Sequence, residues 1–183
     1  ADGLWDFATE APRTSTRHVA LELPEGQRYA AGDHLAVYAR NRAELVDRAL
    51  ARLGVRGDAM VTVSAGGGRF RHLPLGATVT VGQLLADFID LQDPVPRRTV
   101  QRLADTTRCP HTAAELSRLA CDGYDADVAA KRVSLLDLAE RLPAIELSVA
   151  EFVELSAPIQ PRFYSIASSP LARPACIELL VGT

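Results

Sequence analysis

The stretch PRFYSIASSP, residues 161–170, sets a cation, two aromatic rings and a hydroxyl side by side in a segment with strand character. Alternate side chains of a strand point to opposite faces. Arg162 and Tyr164 therefore share one face, and Phe163 and Ser165 share the other. A guanidinium and a phenol ring two residues apart can hold an anion and a flat ring of the same ligand. The arginine fork suits phosphate oxygens, and the tyrosine ring offers a broad surface for stacking. Ser165 adds a hydroxyl and backbone groups able to reach a heteroatom on the edge of such a ring. Chemistry alone leaves a plainer alternative open: an ordinary strand carrying one salt-bridged arginine.

Outward from this stretch, β-character continues through a turn in PLARPA into CIELLVG, residues 176–182. The chain also begins in β-like sequence. TRHVALELP, residues 16–24, alternates with Val19, Leu21 and Leu23 on one face, and HLAVYAR, residues 34–40, gives a second alternating strand. At Asn41 the period changes. NRAELVDRALARLG places Leu45, Val46, Ala49, Leu50 and Leu53 on one helical stripe and ends at Gly54, a natural stop. AMVTVSAGGGRFRHLP reads as a hairpin turning through Gly66, Gly67 and Gly68. A phosphate-binding loop needs a helix directly after its glycines, and the strand-like RFRHLP follows instead.

From residue 80 to 155 the sequence is mostly helical. Thr80 with Gln83, Thr112 with Glu115 and Ser148 with Glu151 have capping-box spacing, and Asp93 followed by Pro94 suits a cap with proline in the first turn. These signals predict helices over 81–91, 94–106, 113–122, 125–141 and 148–155. Two or three strands bury too little to stand alone. The order strands, helices, strands therefore predicts one β-unit, residues 1–40 and 156–183, interrupted by a helical insertion at 41–155. In that unit RHVALEL and HLAVYAR are expected in one sheet with RFYSIAS.

Composition narrows the function. The chain has 183 residues, 48% hydrophobic and 23% charged, with a net charge of −3. No basic excess argues for nucleic acid or an anionic membrane; the short pairs Arg69/Arg71 and Arg97/Arg98 read as solvated surface. No apolar run approaches a membrane span, and ADGLWDFATE lacks the pattern of a secretory signal. Cys109, Cys121 and Cys176 are an odd, widely spaced set that fits a reduced, cytoplasmic compartment. His18, His34, His72 and His111 do not cluster with them, so no metal site is expected.

RFYSIASSP resembles the RxYS flavin motif of the ferredoxin–NADP reductase superfamily. TSTRHVALELP, YAAGDHLAVYARN, HLPLGATVTVGQLLADFIDLQDPVPR and RLADTTRCPHTAAELSRLA follow, in order and at similar spacing, the diflavin reductases. The resemblance runs from Ser15 to Thr183 and lies closest to the reductase part of bacterial self-sufficient cytochrome P-450 monooxygenases. It implies an α+β fold: an antiparallel FAD-binding β-barrel, incomplete here, with an inserted, mostly helical connecting domain. It also implies site residues. Arg162 would meet the FAD pyrophosphate, Tyr164 would stack on the isoalloxazine and Ser165 would bond near N5; Phe163 fills the variable position, facing away from the ring. Arg132, in AAKRVSLLDLAERLP, matches a connecting-domain arginine that reaches FAD, and Arg17, in STRH, one that contacts the NADP nucleotide. Leu179 and Leu180 fall where a strand borders the flavin through backbone atoms.

The family's GVxS/T phosphate loop, later barrel strands, NADP lobe and upstream FMN module have no counterpart in this sequence. The resemblance therefore implies a piece of a larger reductase, inactive alone, with an open sheet edge prone to self-association and poor affinity for free FAD. Its implied partners are the FMN-binding and NADPH-binding modules of the same polypeptide and a haem-containing acceptor. FMN, NADPH and haem would be bound by those other parts. Two alternatives stand beside this: a sulfite reductase flavoprotein, and a non-catalytic interaction module with a vestigial flavin motif.

Overall fold

The computed structural model describes residues 15–64 and 76–182. Along the chain run β1 (Thr16–Glu22), β2 (His34–Val37), α1 (Ala43–Leu53), β3 (Met60–Thr62), β4 (Thr78–Thr80), α2 (Val81–Asp87), β5 (Ile89–Asp90), α3 (Arg97–Thr106), α4 (Pro110–Ala120), a π-helical turn (Tyr124–Ala129), α5 (Leu135–Arg141), α6 (Val149–Leu155), β6 (Ala157–Pro158), β7 (Arg162–Ser165) and β8 (Cys176–Gly182). They form two compact units. One comprises the described residues up to Val37 together with those from Pro161 onward; the other is Tyr38–Gln160.

In the first unit, early strands pair with late ones. β1 runs antiparallel to β8, from Thr16 opposite Gly182 to Glu22 opposite Cys176, and β2 runs antiparallel to β7, with His34 opposite Ser165 and Val37 opposite Arg162. The chain leaving β7 stitches the two ladders together. The Ile166 N–H donates to the Asp33 carbonyl (3.0 Å) and the Ala167 N–H to the Glu178 carbonyl (2.8 Å). Val19, Leu21, Ile177 and Leu179 face one side of the β1–β8 ladder, where Ile177 and Leu179 are 1% and 3% exposed. The link from β1 to β2 turns at Gly26 and Gly32, whose φ values of 83° and 93° suit glycine alone.

Of the incomplete barrel expected from the resemblance, the structure shows separate antiparallel ladders. The fold is mixed α and β with small antiparallel sheets, and the described residues contain no closed barrel but four two-stranded ladders. RHVALEL and HLAVYAR do not lie in one sheet with RFYSIAS: β1 pairs with β8, and only β2 pairs with β7. A barrel needs every strand bonded on both edges with consistent tilt and register. Among the described residues each strand has one ladder partner, and β2 and β7 are four residues long.

The second unit is mostly helical around its own core, with Leu85, Ile89, Val100, Leu116, Leu138 and Phe152 fully buried. α1 buries Val46 and Ala49 and stops at Gly54, whose left-handed backbone (φ 65°) returns its N–H to the Leu50 and Ala51 carbonyls. Arg52 binds α1 to the end of α5, its guanidinium donating to the carbonyls of Ala139 (2.7 Å) and Ile145 (2.5 Å). The chain enters and leaves this unit at one place. Asn41 donates its backbone N–H to Ala86 and its side-chain amide to the Leu85 and Ile89 carbonyls, while the Ile159 N–H bonds to Phe88.

Helix boundaries differ from expectation for local reasons. The boxes at Thr80–Gln83 and Ser148–Glu151 cap α2 and α6 as read. Thr112–Glu115 does not open α4, because Pro110 starts that helix a turn earlier behind Cys109, leaving Thr112 buried inside. Asp93–Pro94 is not a cap either: Pro94 pairs with Ser134 and Pro96 caps α3. The expected 125–141 helix is two elements, because Ser134 with Asp137 forms a fresh capping box that begins α5. β3 pairs with β4; the proposed turn at Gly66–Gly68 lies outside the described residues.

Candidate functional site

β7 presents its side chains in two sets. Arg162 and Tyr164 share a face with Val37 and Leu35 of β2, and Phe163 and Ser165 share the other with Ala36 and His34. Tyr164 is half-buried and stands directly opposite Leu35, so its ring is braced from the neighbouring strand. Arg162 is exposed, and its guanidinium makes no ion pair or hydrogen bond among the described residues. A bare cation beside a braced ring can take an anionic group and a flat ring of one ligand. On the opposite face Phe163 is 67% exposed.

The segment after β7 is fixed by a polar knot absent from the sequence reading. The Tyr29 hydroxyl lies 2.9 Å from Ser168 Oγ and from the Arg173 carbonyl, and Ser168 Oγ accepts the Glu178 N–H at 3.1 Å. This knot holds the segment following Ser165 against β8. A lone tyrosine among turn residues at 25–33 was the available signal for it.

On β1 and β8 the remaining candidates separate. Arg17 is exposed on the face that also carries Leu179, opposite Val181. Leu179 packs inward, whereas Leu180 points to the other face and is 60% exposed. His18 on that other face meets Glu178 at 3.4 Å.

Arg132 belongs to the second unit. It lines a cavity of about 320 Å³ with Leu45, Arg48, Leu91, Gln92, Ser134 and Asp137. The other arginine is already neutralised: Arg48 binds Asp137 at 2.8 Å and Glu140 at 2.6 Å. Burial pushes the Asp137 carboxyl up, but Arg48, the Ser134 hydroxyl and the Ser134 N–H together hold it below the usual range. The Arg132 guanidinium makes no hydrogen bond or ion pair among the described residues. It acts on Asp93 only through space: burial and Asp90 push that carboxyl up, and Arg132 pulls it down. Arg132 is also the one non-glycine residue with positive φ (50°) among those described. Arg48, Asp137 and this backbone feature carried no sequence signal that singled them out.

Residues 9–182 match the family model described as FAD binding domain. The chain is similar to the bifunctional cytochrome P450/NADPH–P450 reductase 2 of Bacillus subtilis (strain 168), with 37% identity over 97% of this chain and 17% of that protein. It is 40% identical to reductase 1 of the same organism over 92% of this chain and 16% of that protein. It is 38% identical to the bifunctional reductase ascE of Acremonium egyptiacum over 90% of this chain and 15% of that protein. The chain thus spans about one-sixth of the length of these curated relatives.

Proposed function

The chain belongs to the FAD binding domain family, and on that premise we propose that it is the FAD-holding part of a diflavin reductase that delivers electrons from NADPH to a cytochrome P450. The observation that carries the proposal is the pairing of Arg162, unpartnered among the described residues, with a braced Tyr164 on one face of β7. The donor set fits the cofactor: Arg162 for the pyrophosphate, the Tyr164 ring for the isoalloxazine, and the Ser165 backbone N–H for its polar edge. Phe163, on the far face, borders the site without stacking.

The flavin, when bound, supplies the exchange of a hydride pair for single electrons. Everything else is the work of this chain's residues. Arg162 neutralises phosphate charge, Tyr164 covers one ring surface and keeps water from it, and Ser165 offers a donor at the ring edge. Leu179 and Leu180 border the site through the backbone of β8, and Arg17 reaches the NADP nucleotide. We assign the first unit to the incomplete β-barrel. The second unit is the inserted connecting domain, which contributes Arg132 to FAD and spaces the flavins. Its separate helical core and its single point of entry and exit support that assignment.

FMN-binding and NADPH-binding modules of the same polypeptide and a haem acceptor are the partners this reading requires. The P450 reductase names of the relatives support it; no observation favours the sulfite reductase or interaction-module alternatives. We place the protein in the cytoplasm, in keeping with its three unpaired cysteines; among the described residues no helix is long and apolar enough to cross a membrane. Titration of the purified chain with FAD tests the proposal. Weak but saturable quenching of flavin fluorescence with a shift of the visible bands is expected, and an FAD spectrum unchanged at millimolar concentration refutes it.

A further inference from the structure

The left-handed backbone of Arg132 needs an explanation, since a side chain there is strained and only glycine adopts the conformation freely. The surrounding bonds supply it. Residues 124–133 form wide turns, with the Ala130 N–H bonded to Asp125 (2.9 Å) and the Val133 N–H bonded to Val128 (3.0 Å), each five residues back. The Arg132 N–H closes on Ala129 at 3.0 Å. On the outer side Asp127 is held by Arg118 (3.0 Å) and Lys131 (2.9 Å). On the inner side a relay runs from the Tyr124 hydroxyl to the Val95 carbonyl (2.9 Å), then from the Val95 N–H to the Val133 carbonyl (2.9 Å). Val95 and Val133 are buried, so this relay is sheltered from water. Tyr124 itself is fixed by Arg97, whose guanidinium lies 4.6 Å over its ring.

We propose that Tyr124 is a positioning residue: through Val95 and Val133 it holds Arg132 in its strained backbone state, keeping the bare guanidinium at the cavity wall for a phosphate oxygen. The cavity favours that use. Its other cation, Arg48, is occupied by two carboxylates, so Arg132 is the charge left to meet an anion. The strain is maintained by at least four backbone bonds and one hydroxyl. The ligand identity rests on the flavin reading above; the clamp does not.

The test uses Tyr124→Phe, which keeps the ring under Arg97 and removes only the hydroxyl. In the ligand-free chain, hydrogen exchange at the Val95 amide should quicken about tenfold, and unchanged exchange overturns the relay. For FAD, Tyr124→Phe should raise Kd about 3- to 10-fold, the range expected for one lost hydrogen bond. In an Arg132→Ala background the same change should alter Kd less than twofold, because the hydroxyl then has no charge left to position. Equal weakening in both backgrounds overturns the proposal, since it marks a general loss of structure. An Arg132→Ala chain with undiminished FAD affinity refutes instead the assignment of Arg132 to FAD, while the exchange measurement still decides the clamp.

Discussion

Replacing Arg162 with alanine isolates the electrostatic half of the β7 site. The side chain is exposed and bonded to nothing among the described residues. Its removal therefore breaks no existing pair, and stability should change by less than about 0.5 kcal/mol. Bound FAD would lose a charge-assisted, two-pronged contact worth about 1.5–3 kcal/mol, which is roughly a 10- to 150-fold rise in Kd. Among the described residues no carboxylate lies against Arg162 for binding to displace, so the upper half of that range is the better expectation. Fluorescence titration with FAD at two salt concentrations reads both parts. The wild-type affinity should fall as salt rises, and the variant should fall less, because one phosphate contact is gone. A Kd within twofold of wild type, with the same salt dependence, would refute the pyrophosphate role. Lys in place of Ala should recover only part of the loss, since a point charge cannot make the paired contact.

Two further outcomes follow from neighbouring geometry. Tyr164→Ala should change the visible spectrum and fluorescence of bound FAD more than Phe163→Ala, because Tyr164 shares the face of Arg162; equal effects, or a larger one at Phe163, would reverse the assignment of faces. The depressed Asp137 carboxyl contributes stability that is present above its unfolded pKa of about 3.9 and is lost as pH falls through the lower folded value. Asp137→Asn should therefore cost about 1 kcal/mol at pH 6 in urea unfolding and almost nothing at pH 2–3; a constant difference across that range would show that its charge is not involved.

Much of the helical unit was legible because its signals are local. Gly54, the Thr80–Gln83 and Ser148–Glu151 boxes and the α1 stripe each act within one or two turns, and all appear as read. The misreadings are also local. Asp137 is one methylene shorter than the usual partner in a capping box, so the Ser134 start went unnoticed, and Pro110 outranked Thr112 as the opening of α4. The two faces of β7 follow from a period of two and needed no structure. That the early and late strands meet was legible too; their division into two ladders was not, because ladder bonds join backbones and carry little side-chain identity. The Arg132 conformation was hidden for a different reason: AAKRVS contains no glycine or asparagine to mark a left-handed residue, and the bonds imposing it come from Tyr124 and Val95.

The pairing of Thr16 with Gly182 has a consequence for how the chain is made. On a ribosome β1 and β2 emerge well before β7 and β8, so both strands stay without a ladder partner while the intervening helical residues are made. Closing a loop of ~150 residues, rather than ~30, costs about 1.4 kcal/mol more in chain entropy, and such non-local pairing slows folding. The helical unit removes most of that burden once folded. Asn41 and Ile159 both bond within the short stretch from Leu85 to Ile89, so its completion brings together the two ends that lead into β2 and β7. The helices thus act as a built-in tether for nascent strands, and damage to their core should appear first as unpaired β-sequence exposed to chaperones and proteases.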